Sequence, residues 1–250
     1  MELTIGHLYP DLMNIYGDRG NILCLVERCR RRGIRVTVVA IGLGDPFDPR
    51  AYDLVFIGGS QDKEQRWVAQ DLVERKGPAL RDAVEDGLVV LAVCGGYQLF
   101  GHAYRPSEGL DLPGLGIFDI TTVHPGPQAP RCIGNIVARW EGGLLVGFEN
   151  HGGRTYLGPQ GAPLARVVAG FGNNAEDGTE GARYQHAFGT YLHGSLLPKN
   201  PEFADFLIGL ALERKYGPVS LPPLPDTLEH LAHDAAVRRV TGGSMPRRST

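Results

Sequence analysis

The chain has no apolar run near the roughly 18 residues that cross a membrane as a helix, which excludes a spanning helix. It has no strongly basic block before its extreme C-terminus, and its formal net charge is −3. Nucleic acid is therefore not an expected partner. Cysteine is scarce: Cys24, Cys29, Cys94 and Cys132 are the only four. None forms a C-x-x-C pair, so a zinc site or dithiol redox centre is unsupported and no metal is expected. The opening residues, Met1-Glu2-Leu3-Thr4-Ile5, lack the basic head and apolar core of a secretory signal. A cytoplasmic protein with free thiols is the expectation. Cys24 and Cys29 lie five apart in a helical pattern, a spacing that shares no helix face, so ordinary packing is expected of both.

Glycine and proline are plentiful, 35 and 18 among 250 residues, and imply many turns and close backbone approaches. Apolar runs at 3–8, 34–41, 54–57 and 88–93 alternate with helical patterns at 22–33, 62–76 and 79–85. This alternation predicts a mostly parallel α/β sheet flanked by helices, whose sites lie beyond the carboxyl ends of the strands. Gly77-Pro78 reads as a break between two helices. Arg30, Arg31 and Arg32 before Gly33 read as a solvated helix end that complements the helix dipole. After Gly101 the texture changes. Residues 105–131 are rich in Pro and Gly, and short apolar runs between 133 and 168 predict additional antiparallel strands. Residues 184–194 read as two strand segments around a polar turn, 203–216 and 226–240 as helices, and 241–250 as a disordered tail. The simplest organisation is one domain over 1–216 and a proline-rich extension and tail over 217–250.

Chemistry concentrates at Leu88-Val89-Val90-Leu91-Ala92-Val93-Cys94-Gly95-Gly96. A continuous apolar run predicts a strand buried on both faces, and the glycines let the chain turn sharply where it stops. The turn lifts Cys94 from the sheet edge to a helix N-terminus, a setting that favours a thiolate. A nucleophilic cysteine needs a base. Of eight histidines, His193 stands out, because it follows the strand pattern Gly189-Thr190-Tyr191-Leu192 and precedes Gly194. His230 and His233 read as surface residues. An attacked amide carbonyl becomes an oxyanion, which preorganised donors must meet. The backbone N–H groups of Gly59, at the end of the third strand, and of Gly95 are the candidates.

These residues carry a family resemblance. Ile57-Gly58-Gly59, Cys94-Gly95-Gly96-Tyr97-Gln98 and Gly189-Thr190-Tyr191-Leu192-His193-Gly194 resemble the class I (triad-type) glutamine amidotransferases, in their CobB/CobQ-like branch. Three further stretches resemble the GatD family, the glutaminase subunits of lipid II isoglutaminyl synthases. They are His7-Leu8-Tyr9-Pro10, the run from Met13-Asn14-Ile15-Tyr16 to Gly17-Asp18-Arg19-Gly20-Asn21, and Gly147-Phe148-Glu149-Asn150-His151-Gly152-Gly153-Arg154-Thr155. The resemblance implies a flavodoxin-like fold in which Cys94 attacks glutamine, His193 moves the proton, and Gly59 and Gly95 hold the oxyanion. It also implies that Arg131 binds the glutamine carboxylate, a task suited to a guanidinium fork, with Gln98, Asn150 and His151 lining the pocket. Ammonia would pass to a Mur-ligase-like (MurT-like) subunit that uses ATP and magnesium to amidate the D-glutamate α-carboxylate of lipid II. This chain would need no cofactor, and the pair would be a heterodimer.

One departure stands out. Many members of the class place a glutamate two residues after the histidine, and this chain has Ser195. No acid at that position orients the imidazole, so an acid from the ligase partner, or a slow dyad, is expected. Three competing readings remain: the glutaminase of another CobB/CobQ-like synthetase, a non-catalytic α/β scaffold, and a stand-alone cysteine hydrolase.

Overall fold

A computed structural model describes residues 1–193 and 195–242. The first half is the predicted βα alternation: β1 (Glu2–Leu8), α1 (Arg19–Arg30), β2 (Arg35–Ile41), β3 (Leu54–Ile57), α2 (Asp62–Asp71), α3 (Gly77–Glu85), β4 (Val89–Val93) and α4 (Gly95–Leu99). Every residue of β3 and β4 is buried, as continuous apolar runs require of central parallel strands. The predicted break at Gly77-Pro78 is not one. A single wide turn over Leu72–Lys76 joins α2 to α3, and Pro78 falls in the first turn of α3, where a missing N–H costs nothing.

The second half supplies β5 (Ala103–Arg105), β6 (Leu112–Pro113), β7 (Ile120–Val123), β8 (Cys132–Trp140), β9 (Gly143–His151), β10 (Arg154–Leu157), β11 (Ala165–Ala169), β12 (Thr179–Glu180), β13 (Ala182–Tyr184) and β14 (Ala187–Thr190). It ends with α5 (Leu196–Lys199), α6 (Pro201–Tyr216) and α7 (Thr227–Thr241). The main sheet has the order β13-β14-β4-β3-β1-β2, parallel throughout except for β13. Two four-stranded sheets, β10-β7-β5-β6 and β12-β11-β8-β9, hold the predicted additional strands, antiparallel except for the β5–β7 pair.

Register decides what meets. Val93 pairs with Thr190, and Ala92 with Ile57. The carboxyl ends of β3, β4 and β14 therefore deliver Gly58-Gly59, Cys94 and Tyr191-Leu192-His193 to one edge. Within 217–242, α7 lies on β8 and β9 through Val237, Val137 and Val146. Buried Arg28 on α1 ties it down by bridging Asp205 of α6 and Asp226 at the start of α7. No helix among the described residues is long and apolar enough to cross a membrane. Most of the tail predicted at 241–250 lies outside the described residues.

Candidate active site

Cys94 stands between β4 and α4 with φ 50° and ψ −107°, a backbone state that costs a non-glycine residue about 1–3 kcal/mol. Its surroundings impose it. The Cys94 N–H donates to the Thr190 carbonyl at 2.8 Å, and the next turn closes at once as Gln98 N–H donates to the Cys94 carbonyl at 2.9 Å. The flanking glycines permit the close approach. A Cβ on Gly96 would lie 2.8 Å from the Gly58 carbonyl oxygen, which instead accepts the Gly96 N–H at 3.1 Å. Burial pushes the Cys24 and Cys29 thiols up to about 12, far from the thiolate.

His193 is fully buried. It is held by a two-way backbone pair with Phe148 of β9, at 2.7 and 3.3 Å, so the second sheet positions the histidine that β14 delivers. A Cβ on Gly59 would sit 3.1 Å from both Cys94 Cβ and His193 Cε1, and glycine alone leaves that gap clear. Burial opposes a charged ring, but the Cys94 thiolate and the Asp18 carboxylate outweigh it and push His193 up to about 10. A ring held this basic can take and keep a proton beside Cys94. His193 Nε2 has no hydrogen bond among the described residues.

Residue types and spacing did not single out Asp18. It lies in the loop after β1, completely buried, with Oδ1 3.4 Å from His193 Nδ1. Its other oxygen, Oδ2, accepts the Gly59 N–H at 2.7 Å. An acid of this same chain thus faces the imidazole, although none stands at Ser195. The Gly59 N–H reaches an oxyanion only once that 2.7 Å bond opens. The Gly95 N–H opens α4 and has no carbonyl one turn behind it. In the sequence Asp18 stands within the Met13–Asn21 run that carries the family resemblance, an acid between glycines with no role assigned to it.

A cavity of about 580 Å³ opens in front of Cys94, lined also by Gln98, Arg131, Asn150 and His151. Arg131 donates to the Asn150 side-chain and backbone oxygens at 3.1 and 3.2 Å, and Asn150 donates to the Tyr16 hydroxyl at 2.7 Å. Tyr16 closes this bridge with its ring edge over His193, centroids 5.0 Å apart. Gln98 is fixed deeper in, donating to the Tyr191 hydroxyl at 3.0 Å and accepting from Gln65 at 2.9 Å. His151 is buried and stacks on Tyr191 at 3.7 Å; burial lowers its pKa and holds it neutral. His230 and His233 lie away from the cavity, on Glu202 and the Lys199 carbonyl.

The model of the CobB/CobQ-like glutamine amidotransferase domain matches residues 4–201. The chain belongs to the CobB/CobQ-like glutamine amidotransferase family. Two curated relatives are each named lipid II isoglutaminyl synthase (glutamine-hydrolyzing) subunit GatD. The Staphylococcus aureus protein is 42% identical over 95% of this chain and 96% of its own length. The Streptococcus pneumoniae protein is 42% identical over 91% and 87%. A crystal structure of a glutamine amidotransferase superposes with a TM-score of 0.56 at 16% identity, covering 83% of this chain and 98% of that one, a likeness of fold. For an amidotransferase of this family, the geometry joins a strained cysteine, a buried histidine and a cavity sized for a small ligand.

Proposed function

We propose that the chain is the glutaminase subunit of a two-component lipid II isoglutaminyl synthase. The observation that carries the glutaminase half is the convergence on Gly59 of His193 and of Cys94, which itself lines the Arg131 cavity. In the reaction, the Cys94 sulfur attacks the side-chain amide carbon of glutamine, and Gly95 with a freed Gly59 meets the oxyanion. The imidazolium of His193 gives its proton to the amide nitrogen as the C–N bond breaks, releasing ammonia and leaving a glutamyl thioester. Water then attacks the thioester, His193 takes its proton, and glutamate leaves with the thiol restored. Arg131 would turn from Asn150 to the glutamine α-carboxylate, which it can hold through two parallel hydrogen bonds.

The partner half rests on the two GatD relatives. Ammonia passes to a Mur-ligase-like subunit, where ATP and magnesium activate the D-glutamate α-carboxylate of lipid II. This chain itself takes no cofactor, and the pair works in the cytoplasm. A non-catalytic scaffold would leave the backbone strain at Cys94 without a use. The test is ammonia release from glutamine by the wild-type chain, Cys94→Ser and His193→Ala, followed by lipid II amidation with the copurified ligase. Both variants are expected to lose ammonia release, and turnover surviving in either sinks the assignment. A copurified synthetase that ignores lipid II would move the chain to another CobB/CobQ-like pathway.

A further inference from the structure

The loop that carries Asp18 is fastened at every turn. Arg19 N–H donates to Asn14 Oδ1 at 2.8 Å. Ile15 N–H donates to the Gly59 carbonyl at 3.0 Å. Ser195 Oγ donates to the Gly17 carbonyl at 2.8 Å, and Leu197 N–H to Asn21 Oδ1 at 2.9 Å. Ser195 adopts a left-handed backbone, φ 53°. Gly20 makes room for it, since a Cβ there would fall 2.1 Å from Ser195 Oγ. The position where the class often carries its acid is thus occupied by a residue that clasps a different acid-bearing loop.

Resting on the glutaminase reading, we propose that Asp18 is the positioning acid of this site and Ser195 the clasp that holds it there. Oδ1 keeps the Nδ1 side of His193 hydrogen-bonded and turns Nε2 towards Cys94. Oδ2 accepts the Gly59 N–H in the resting site and so fixes the carboxylate itself, with Oδ1 towards the ring, until that bond opens. The titratable groups that face the ring are Cys94 from the end of β4, and Tyr16 and Asp18 from the loop after β1; β9 offers it the Phe148 backbone. Asp18 is therefore the one carboxylate among the described residues placed to support the imidazolium.

The experiment compares wild type, Asp18→Asn and Ser195→Ala, each as the full chain with and without its copurified ligase. It reads kcat and KM for glutamine and the pH profile of kcat/KM. Asn can still accept the Gly59 N–H but carries no charge. Its kcat is expected to fall by about 10²–10⁴-fold, with KM within about threefold. The basic limb should move to lower pH, because the imidazolium loses its carboxylate and gives up its proton earlier. Ser195→Ala removes no group that touches the ring, so it should fold even if Asp18→Asn does not, and should lower kcat in the same direction by a smaller factor. Three results overturn the proposal: wild-type kcat and basic limb in Asp18→Asn; lost activity with an unmoved basic limb, which marks a purely structural residue; or full recovery of Asp18→Asn on adding the ligase, which assigns the orienting acid to the partner. Where Asp18→Asn does not fold, an unchanged kcat in Ser195→Ala overturns it. Wild type without glutaminase activity would instead refute the glutaminase reading.

Discussion

Gly59→Ala tests the site with a single methyl group. The added Cβ would lie 3.0 Å from Ile15 Cγ2, 3.1 Å from Cys94 Cβ and 3.1 Å from His193 Cε1. Carbon atoms pack comfortably at about 3.5–4.0 Å, so each contact needs relief of about half an ångström. Ile15 can yield by rotating into the cavity it lines. Cys94 and His193 cannot, being pinned by the Thr190 carbonyl and by the Phe148 pair. The methyl group therefore wedges nucleophile and base apart by a few tenths of an ångström each. Misplacement by about 1 Å costs about 10²-fold in rate, so a loss of about 10–10²-fold in kcat is expected, or about 1.4–2.7 kcal/mol. Overpacking should take about 1–3 kcal/mol from stability. The neighbour calibrates the result. A Cβ on Gly58 would lie 2.2 Å from the Met13 carbonyl oxygen, a backbone atom, so Gly58→Ala should damage folding far more. Coupled glutamate detection and thermal melts read both variants. A Gly59→Ala enzyme within twofold of wild type, or one as unstable as Gly58→Ala, refutes the packing argument.

Three other outcomes follow from the structure. Arg131→Lys replaces a fork with a point charge, and should raise KM for glutamine about tenfold while kcat stays within about threefold; an unmoved KM removes Arg131 from substrate binding. Glu180 is fully buried, and burial raises its carboxyl from 4.5 to about 7 despite hydrogen bonds from Thr190 and Tyr191. The folded state holds this proton longer than the unfolded chain, so its contribution is full below pH 4.5 and is lost as pH rises to about 7. Glu180→Gln should flatten that part of the urea-stability profile, and an unchanged slope between pH 5 and 7 contradicts it. Arg28→Ala removes the buried partner that Asp205 and Asp226 share, leaving Asp205 on Arg32 and Asp226 with Arg31 at 3.7 Å. It should destabilise by about 1–3 kcal/mol, with the earliest loss of hydrogen-exchange protection in 227–241.

Much of the architecture was legible in local patterns. Fully apolar runs such as 54–57 and 88–93 can bury only as central strands, and the helical patterns between them force parallel crossovers. Cys94 was legible because a strand running into Cys-Gly-Gly has few uses, and His193 because it ends another strand beside a glycine. Gly77-Pro78 misled because proline blocks a helix interior but suits a first turn, and only the partner turn at Leu72–Lys76 decides which one applies. Arg131 is 37 residues from Cys94 in the chain, and its place in the cavity depends on β8 pairing with β9.

Asp18 marks the boundary between the two kinds of information. The chain alone determined which residues could do chemistry, because strand ends, glycine turns and reactive side chains are local properties of a few consecutive residues. It pointed to a missing acid at Ser195 because that comparison, too, runs along the backbone. Tertiary structure alone decided that a carboxylate 175 positions away reaches the same imidazole. That contact arises from the order β14-β4-β3-β1 in the sheet and from the clasp between Ser195 and Gly17. Neither leaves a pattern in the sequence, since pairing between distant strands is set by the packing of the whole sheet.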